Sequence, residues 1–161
     1  MSYRDHRYQT VVRWTGNKGT GTAGYRTYGR EHVIEADCKP PILASSDPQF
    51  LGDRTRWNPE EMLVASLSAC HQLWYLHLCS DAGVIVTDYE DRAEGLMREE
   101  GGGAGRFLRV VLHPSVRLKV GSDVHLAVAL HGKAHELCYI ARSVAFPVEC
   151  EARVSIEDAT A

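Results

Sequence analysis

Cysteines are the residues of this 161-residue chain with the clearest capacity for chemistry, because a thiolate is both a nucleophile and a redox-active group. The five are Cys38, Cys70, Cys79, Cys138 and Cys150. An odd number at wide spacing is not typical of a disulfide framework. The chain has no CxxC pair and its histidines are scattered, so we predict neither a structural zinc site nor any other bound metal.

Two of the cysteines lie in segments that we predict to be helical, Cys70 in LSACHQLW and Cys138 in AHELCYIARS. We interpret the other three as structural, because free cysteine is among the most buried residue types. Cys79 follows Cys70 by nine residues and would point to another face of the same helix. We therefore predict that these two do not form a bridge.

The histidines beside these two cysteines do not predict a catalytic pair. His71 directly follows Cys70, but adjacent helix residues diverge by about 100° and do not face each other. His135 precedes Cys138 by three residues, and we interpret it as a solvated or capping residue. Without an oriented set of cysteine, histidine and a carboxylate or amide, a cysteine hydrolase of the acyl-transfer type is disfavoured.

The element that would position Cys70 is a helix over residues 58–83. Asn58 is a good N-cap, Glu61 stands three residues later as in a capping box, and Gly83 fits a C-terminal stop. The segment carries almost no charge between its caps. We therefore expect it to be buried nearly all round, at a subunit interface as well as in a core. Its polar interruptions leave no apolar run long enough for a membrane span.

The other elements follow from alternation and turn residues. Strands are predicted at residues 7–15, 20–28, 32–36, 84–97, 106–120 and 148–156, with a second helix at 122–143. The first three strands would form an antiparallel meander, and 84–97 would pair with 106–120 as a hairpin. Pro114 indicates an edge position or a bulge, and Gly132 could split the second helix. The proline-rich residues 38–57 are predicted to be a long loop.

Strands and helices do not alternate along this order, which predicts an α+β fold with helices packed on antiparallel strands. At this length the simplest organisation is a single domain over residues 1–161. A net charge of −3 without a basic stripe argues against nucleic-acid binding. The N-terminal residues lack the apolar region of a signal peptide, so we expect a cytoplasmic protein whose thiols stay reduced unless they do redox work.

The motif around Cys70 carries a family resemblance. Asn58-Pro59-Glu60-Glu61 is followed by the small-residue run of residues 65–69, then by Cys70, and about 70 residues later by Cys138 in HELCYIARS. This combination resembles the OsmC/Ohr family of organic hydroperoxide reductases, over residues 8–157. The predicted order of elements also matches the fold of that family.

The resemblance implies a thiol-dependent peroxidase that works in oxidative stress defence. Cys70 would be the peroxidatic residue, whose thiolate attacks the O–O bond of an organic hydroperoxide and becomes a sulfenic acid. Cys138 would resolve it to an intramolecular disulfide. An external dithiol, of the lipoyl type in this family, would reduce the disulfide, and neither a metal nor a flavin would be needed.

The family also places an arginine beside the peroxidatic cysteine and a glutamate that holds this arginine. Glu60 corresponds to the glutamate. No arginine of this chain stands at the family's usual positions, and the candidates are Arg56, Arg26 and Arg30, of which we favour the first two. The missing match supports an alternative, in which the chain is a non-catalytic OsmC-like protein that binds a small molecule or acts as a stress-associated dimer.

Helix geometry adds a prediction about assembly. On one continuous helix, the ten residues between Glu60 and Cys70 span about 15 Å and leave the two side chains about 80° apart around the axis. If both serve one site, the helix must break or Glu60 must come from a second subunit. We therefore expect a homodimer with active sites at the subunit interface. Apolar residues are candidates for lining the site: Trp57, Met62, Leu63, Trp74 and Tyr139.

Overall fold

The computed structural model describes residues 4–157. The chain forms two compact units, one that extends to Met62 and one that starts at Leu63. The predicted single domain is not decided by this division and stays a prediction. Within the described residues, no helix has both the length and the hydropathy that crossing a membrane requires.

The first unit contains a three-stranded antiparallel sheet. Its strands are β1 (Val11–Trp14), β2 (His32–Glu35) and β3 (Ile42–Ala44), paired in the order β1-β2-β3. The predicted meander is thus confirmed, but its members differ from the prediction. The third strand lies in the predicted loop 38–57, which also contains a single 3₁₀ turn, Pro48–Phe50.

The strand predicted at residues 20–28 is wrong, because this segment consists of turns and bends. The amide groups of Gly19 and Gly21 donate to the Asn17 Oδ1 atom at 2.9 and 3.0 Å, and both glycines have positive φ angles of 101° and 55°. Side-chain bonds of this kind compete with a strand ladder for the backbone groups. The chain therefore loops between β1 and β2 instead of pairing.

The helix that carries Cys70 is α1 (Pro59–Asp81), close to the predicted bounds. The capping box is present in both directions: the Glu61 amide donates to Asn58 Oδ1 at 2.7 Å, and the Asn58 amide donates to Glu61 Oε2 at 3.2 Å. Gly83 follows the helix with a φ angle of 73°, in the left-handed region that favours glycine.

Burial of α1 follows one stripe and not the whole circumference. Its buried residues are spaced by four: Leu67, His71, Tyr75 and Cys79. A second stripe with the same spacing, Ala65, Ala69 and Leu73, is exposed, and Leu73 is 68% exposed. In the single chain, part of the apolar surface of α1 faces outward, and its expected burial at a subunit interface stays a prediction.

The second unit contains two mixed three-stranded sheets. Its strands are β4 (Val86–Asp91), β5 (Glu94–Glu99), β6 (Gly105–Leu112), β7 (Pro114–Leu118), β8 (Val148–Cys150) and β9 (Arg153–Ile156). The sheets have the orders β4-β7-β9 and β5-β6-β8. The predicted hairpin is confirmed, but both of its arms break, so that β5 pairs with β6 and β4 with β7.

The strand predicted at 106–120 is interrupted at His113, between β6 and β7. This interruption accounts for two wrong predictions, one about Pro114 and one about residues 148–156. Pro114 is neither at an edge nor in a bulge, because it is the first residue of the middle strand β7, where proline is tolerated. The strand predicted at 148–156 also breaks, into β8 and β9. Strand β8 lies beside β6, before the break at His113, and β9 lies beside β7, after it. These two strands pair in parallel with β6 and β7, so the sheets are not purely antiparallel.

The second helix is α2 (Val124–Leu137), shorter than predicted. Asp123 caps it by accepting a hydrogen bond from the Leu126 amide at 3.0 Å, and Gly132 does not split it. The helix ends before Cys138, whose extended ψ angle of 109° turns the chain, so the helical placement of Cys138 is wrong. Together with the sheets, the two helices confirm the α+β class.

The core of the second unit has two clusters. In one, Tyr75 and Cys79 of α1 pack with Ala127 and Ala134 of α2 and with residues of β7. In the other, Leu67 packs with Val110 and Leu112 of β6. The structural interpretation of Cys79 is confirmed, because its side chain is 1% exposed in the first of these clusters.

Candidate active site

Cys70 lies beside an open groove of the second unit. The groove has a volume of about 560 Å³ and is lined by Ser66, Ala69, Cys70, Leu73, Trp74, His77, Tyr139 and Ile140. The rings of Trp74 and Tyr139 meet edge to face, with centroids 5.6 Å apart. Most of this lining is apolar, which suits an apolar organic molecule better than an ion.

Cys138 lies close to Cys70, near enough for the Cys70 thiol to contribute to the raised pKa of Cys138. The α1 helix supplies Cys70, while the turn after α2 supplies Cys138. The amide of Ala141, in the 3₁₀ turn Ala141–Ser143, also donates to the Cys138 sulfur at 3.4 Å. Both cysteines are free thiols. The two residues that the sequence singled out are therefore brought together.

The two thiols differ in exposure. Cys70 is half-buried at the groove, whereas Cys138 is 1% exposed. Burial raises the pKa of Cys138 to about 11, and the contact with Cys70 adds to the rise. Cys138 is therefore a protonated thiol at neutral pH. A molecule in the groove reaches Cys70 first.

The predicted charged partners of Cys70 lie in the first unit. Arg56 forms an ion pair with Asp53, with 3.5 Å between Nε and Oδ2, and lines a polar hollow together with Arg54. Arg26 is exposed, and Glu60 is half-buried. Within residues 4–157 neither Arg26 nor Glu60 forms a salt bridge. Their roles at the thiol stay predictions.

The third arginine candidate has a different role in the first unit. Arg30 donates to the carbonyl groups of Tyr25 and Tyr28 at 2.7 and 2.6 Å, and its guanidinium lies over both rings. These contacts hold the loop between β1 and β2. The structure thus gives Arg30 a local structural role, and the preference for Arg56 and Arg26 at the thiol stays a prediction.

Of the residues predicted to line an apolar pocket, Trp74 and Tyr139 do line the groove at Cys70. Leu63 is not among the lining residues, while Trp57 and Met62 belong to the first unit. Five other residues that line the groove were not predicted from the sequence: Ser66, Ala69, Leu73, His77 and Ile140. Helical spacing from Cys70 could have indicated Ser66, which stands four residues before it.

A second group of chemistry-bearing side chains was not predicted. Nε2 of His71 and Nδ1 of His131 are 3.0 Å apart, and the sulfur of Cys150 lies 3.7 Å from the first and 3.9 Å from the second. The two imidazoles are stacked nearly parallel, and the ring of Tyr75 stacks on His131 with 3.8 Å between centroids. The sequence could have indicated that His71 is buried, because it lies four residues after Leu67 and four before Tyr75 on one face of α1.

Comparison with known proteins identifies relatives over almost the whole chain. The family of OsmC-like proteins matches residues 52–153. The uncharacterised protein YmaD of Bacillus subtilis is 26% identical over 157 residues, which cover 95% of this chain and 96% of that protein.

Solved structures share the fold. An OsmC-like protein of unknown function from Vibrio cholerae has a TM-score of 0.84 at 30% identity, over 92% of this chain and 100% of that one. An organic hydroperoxide resistance protein OsmC from Legionella pneumophila has a TM-score of 0.65 at 20% identity, over 94% and 99%. An organic hydroperoxide resistance protein from Elizabethkingia anophelis has a TM-score of 0.65 at 18% identity, over 96% and 100%.

Proposed function

Because the chain belongs to the OsmC family of proteins, we propose that it is a thiol-dependent peroxidase that reduces organic hydroperoxides to alcohols. The names of the hydroperoxide resistance proteins with the same fold support the reaction class. The observation that carries the proposal for this chain is the contact between an accessible thiol, Cys70, and a buried thiol, Cys138, at the base of an apolar groove.

The difference in burial assigns the two roles. A hydroperoxide that enters the groove meets the sulfur of Cys70, while Cys138 is covered by protein. The peroxidatic role therefore falls to Cys70. The buried Cys138 thiol is in place to attack the oxidised sulfur as soon as it forms, which protects Cys70 from further oxidation to the irreversible sulfinic acid.

Three steps complete the cycle. The Cys70 thiolate attacks the terminal oxygen of ROOH, the O–O bond breaks, and the alkoxide leaves and takes up a proton, which yields an alcohol and Cys70–SOH. The Cys138 sulfur then displaces hydroxide from the sulfenic acid, which forms the disulfide. The hydroxide combines with the proton that Cys138 releases and leaves as water. An external dithiol exchanges with the disulfide, restores both thiols and is itself oxidised.

The groove suits both external reactants. It is open and apolar, so a bulky organic hydroperoxide fits better than hydrogen peroxide. The same opening gives a dithiol of the lipoyl type access to the Cys70 side of the disulfide. These steps need neither a metal nor a flavin. We place the reaction in the cytoplasm and in defence against oxidative stress, where reducing thiols are maintained.

We further propose a homodimer with shared active sites. The α1 helix is unbroken from Pro59 to Asp81, so Glu60 and Cys70 of one chain are separated by about 15 Å along its axis. The alternative of a broken helix is thereby removed. The exposed stripe of Ala65, Ala69 and Leu73 offers an apolar surface for a second copy, which would bring its own Glu60 and arginine, Arg56 or Arg26, to the groove.

A turnover assay tests the proposed activity. Purified protein is mixed with cumene hydroperoxide and reduced dihydrolipoamide, and loss of the hydroperoxide is followed. We expect catalytic turnover that Cys70→Ser abolishes and Cys138→Ser reduces to about a single turnover per chain. Cys38→Ser, which alters an exposed cysteine, is the matched control and should retain full activity.

The opposite results decide against the enzyme. Folded wild-type protein that consumes no hydroperoxide, or a Cys70→Ser variant as active as Cys38→Ser, would contradict the proposal. The first outcome would favour the non-catalytic alternative, a small-molecule binding or stress-associated protein with the same fold.

A further inference from the structure

We propose that His71, His131 and Cys150 form a binding site for a borderline-soft transition-metal ion, with Zn²⁺ as its natural occupant. The three residues come from three elements of the second unit, α1, α2 and β8. Their ligand atoms all lie within 4.8 Å of one another. This site is separate from the pair formed by Cys70 and Cys138 and goes beyond the proposed peroxidase function.

The triangle of donor atoms has the size that zinc requires. With bonds of about 2.05 Å to nitrogen and 2.3 Å to sulfur, a tetrahedral ion spaces its nitrogen ligands by about 3.3 Å and nitrogen from sulfur by about 3.6 Å. The observed separations are 3.0 Å between the nitrogens and 3.7 and 3.9 Å from nitrogen to sulfur. Side-chain shifts of a few tenths of an ångström would complete the coordination.

The two histidines are placed to offer nitrogen donors to one ion. Both side chains are buried, and their facing nitrogens, His71 Nε2 and His131 Nδ1, are 3.0 Å apart. Without a metal, one of the facing nitrogens must donate its hydrogen to the other. With a metal between them, both hydrogens would lie on the outer nitrogens, His71 Nδ1 and His131 Nε2, which are buried and have no hydrogen-bond partner among the described residues.

The cysteine supplies the soft, charged ligand. Burial, and after it the negative charge of Asp91, raises the pKa of Cys150 to about 11, so without a metal it is a neutral thiol. Binding of Zn²⁺ would release that proton and form a zinc thiolate. One thiolate and two imidazoles then leave a net charge of +1, which the neighbouring carboxylate of Asp91 offsets.

Asp91 is itself held in place beside the cluster. Its Oδ1 atom accepts a hydrogen bond from the His113 amide at 2.7 Å, and its Oδ2 atom accepts one from Ser68 Oγ. A fixed carboxylate near two neutral imidazoles and a thiol favours a cation over an empty site. Imidazole with thiolate is the donor set that zinc and copper prefer over magnesium or calcium.

A bound metal would connect α1, which carries Cys70, to α2, whose C-terminal end leads into Cys138. His71 directly follows Cys70 on α1, while His131 lies on α2. A metal that ties the two helices and β8 together would fix the spacing of the thiols. The three protein donors leave a fourth position of the tetrahedron for water or a small ligand.

Metal titration of a double variant, Cys70→Ser with Cys138→Ser, tests the site without competition from the redox thiols. We expect the folded, metal-free protein to bind one Zn²⁺ per chain. At free Zn²⁺ near 100 times the Kd, Tm should rise by roughly 5–10 °C. With Co²⁺ as probe, we expect a thiolate-to-cobalt charge-transfer band, and X-ray absorption should show both nitrogen and sulfur ligands at zinc.

Substitutions in that background decide whether these residues are the ligands. Cys150→Ala and His131→Gln should each weaken Zn²⁺ binding by at least about tenfold, with folding checked by circular dichroism. The matched controls Cys38→Ala and His125→Gln alter an exposed cysteine and an exposed histidine of α2 and should bind as the parent does. Absence of binding by the folded parent, or unchanged binding by a folded Cys150→Ala or His131→Gln variant, would overturn the proposal.

Discussion

At the scale of single residues, burial distinguishes thiols of the same chemical type. Cys70 and Cys138 lie close together, but only Cys70 reaches the groove, while Cys138 keeps its proton because it is buried. Cys79 is buried in the core, where burial raises the pKa of its thiol, so it is a poor nucleophile. The chemistry of each cysteine follows from its surroundings and not from its sequence neighbours.

The raised pKa of Cys138, about 11, predicts a pH dependence for disulfide formation. Attack on the Cys70 sulfenic acid needs the Cys138 thiolate, and below the pKa the thiolate fraction grows about tenfold per pH unit. We therefore expect this step to accelerate by close to that factor per unit between pH 6.5 and 8.5. Quenched-flow thiol counting after a single addition of hydroperoxide measures it. A rate that does not change with pH would contradict the assigned role.

The neutral state of His131 predicts a pH dependence of stability in metal-free protein. Its pKa is lowered to about 4, from the ordinary 6.5, by burial and then by the charge of His71. Between about pH 6.5 and pH 4, His131 therefore binds a proton in the unfolded state but not in the folded state. The free energy of unfolding falls as pH falls through this range. The full shift corresponds to about 3 kcal/mol.

Urea unfolding at pH 7, 6 and 5 measures this loss, with His131→Gln as the comparison. The variant should lose less stability than the wild type over this range, because the glutamine does not titrate. Parallel pH profiles for the two proteins would show that His131 is not the group responsible.

At the scale of elements, α1 is specified by its own sequence. The reciprocal hydrogen bonds of Asn58 and Glu61 fix its start, and Gly83 follows its end. This start matters for the function because it sets the position of Cys70 along the helix.

Loss of the cap gives a prediction for α1. Asn58→Ala removes the acceptor for the Glu61 amide and should lower the free energy of unfolding by about 1 kcal/mol. Asn58→Ser keeps an acceptor at this position and should lower it by much less. Chemical denaturation of both variants makes the comparison. Equal destabilisation by the two substitutions would mean that the cap does not contribute.

What the sequence predicts well is local, and what it misses depends on distant contacts. The α1 helix, the hairpin of residues 84–97 with 106–120, and the choice of Cys70 and Cys138 as neighbours in one site follow from caps, alternation and a motif. The split of 148–156 into two strands follows the break at His113, because β8 pairs with the strand before that break and β9 with the strand after it.

Two further misses have different causes, one local and one that depends on distant contacts. The apparent strand 20–28 is replaced by turns because Asn17 binds the glycine amides. The cluster of His71, His131 and Cys150 could not be found by spacing, because three separate elements bring these residues together. Sequence alone shows only that His71 stands on an apolar face.

At the scale of the whole molecule, the predicted charged partners of Cys70 would have to come from a second copy of the chain. Glu60 cannot approach Cys70 along an unbroken helix, and an apolar stripe of α1 is exposed in the single chain. A homodimer with shared sites answers both points, since a second copy would cover the stripe and supply the missing groups.

Complementation tests the shared site. Cys70→Ser and Glu60→Ala should each be nearly inactive as separate homodimers. After random exchange of subunits, half of the dimers are mixed and each has one intact site, so activity should recover to about a quarter of the wild-type value. Native mass spectrometry establishes the exchange. No recovery in a mixture with proven mixed dimers would place Glu60 and Cys70 of the same chain in one functional unit.

The identity of the oxidised thiols tests the peroxidase account most directly. Reduced protein is treated with one equivalent of cumene hydroperoxide, the remaining thiols are counted, and the peptides are mapped by mass spectrometry. The account predicts the loss of two of the five thiols and a disulfide between Cys70 and Cys138, with no loss in Cys70→Ser. Retention of all five thiols, or oxidation at Cys38, Cys79 or Cys150 in place of this pair, would contradict it.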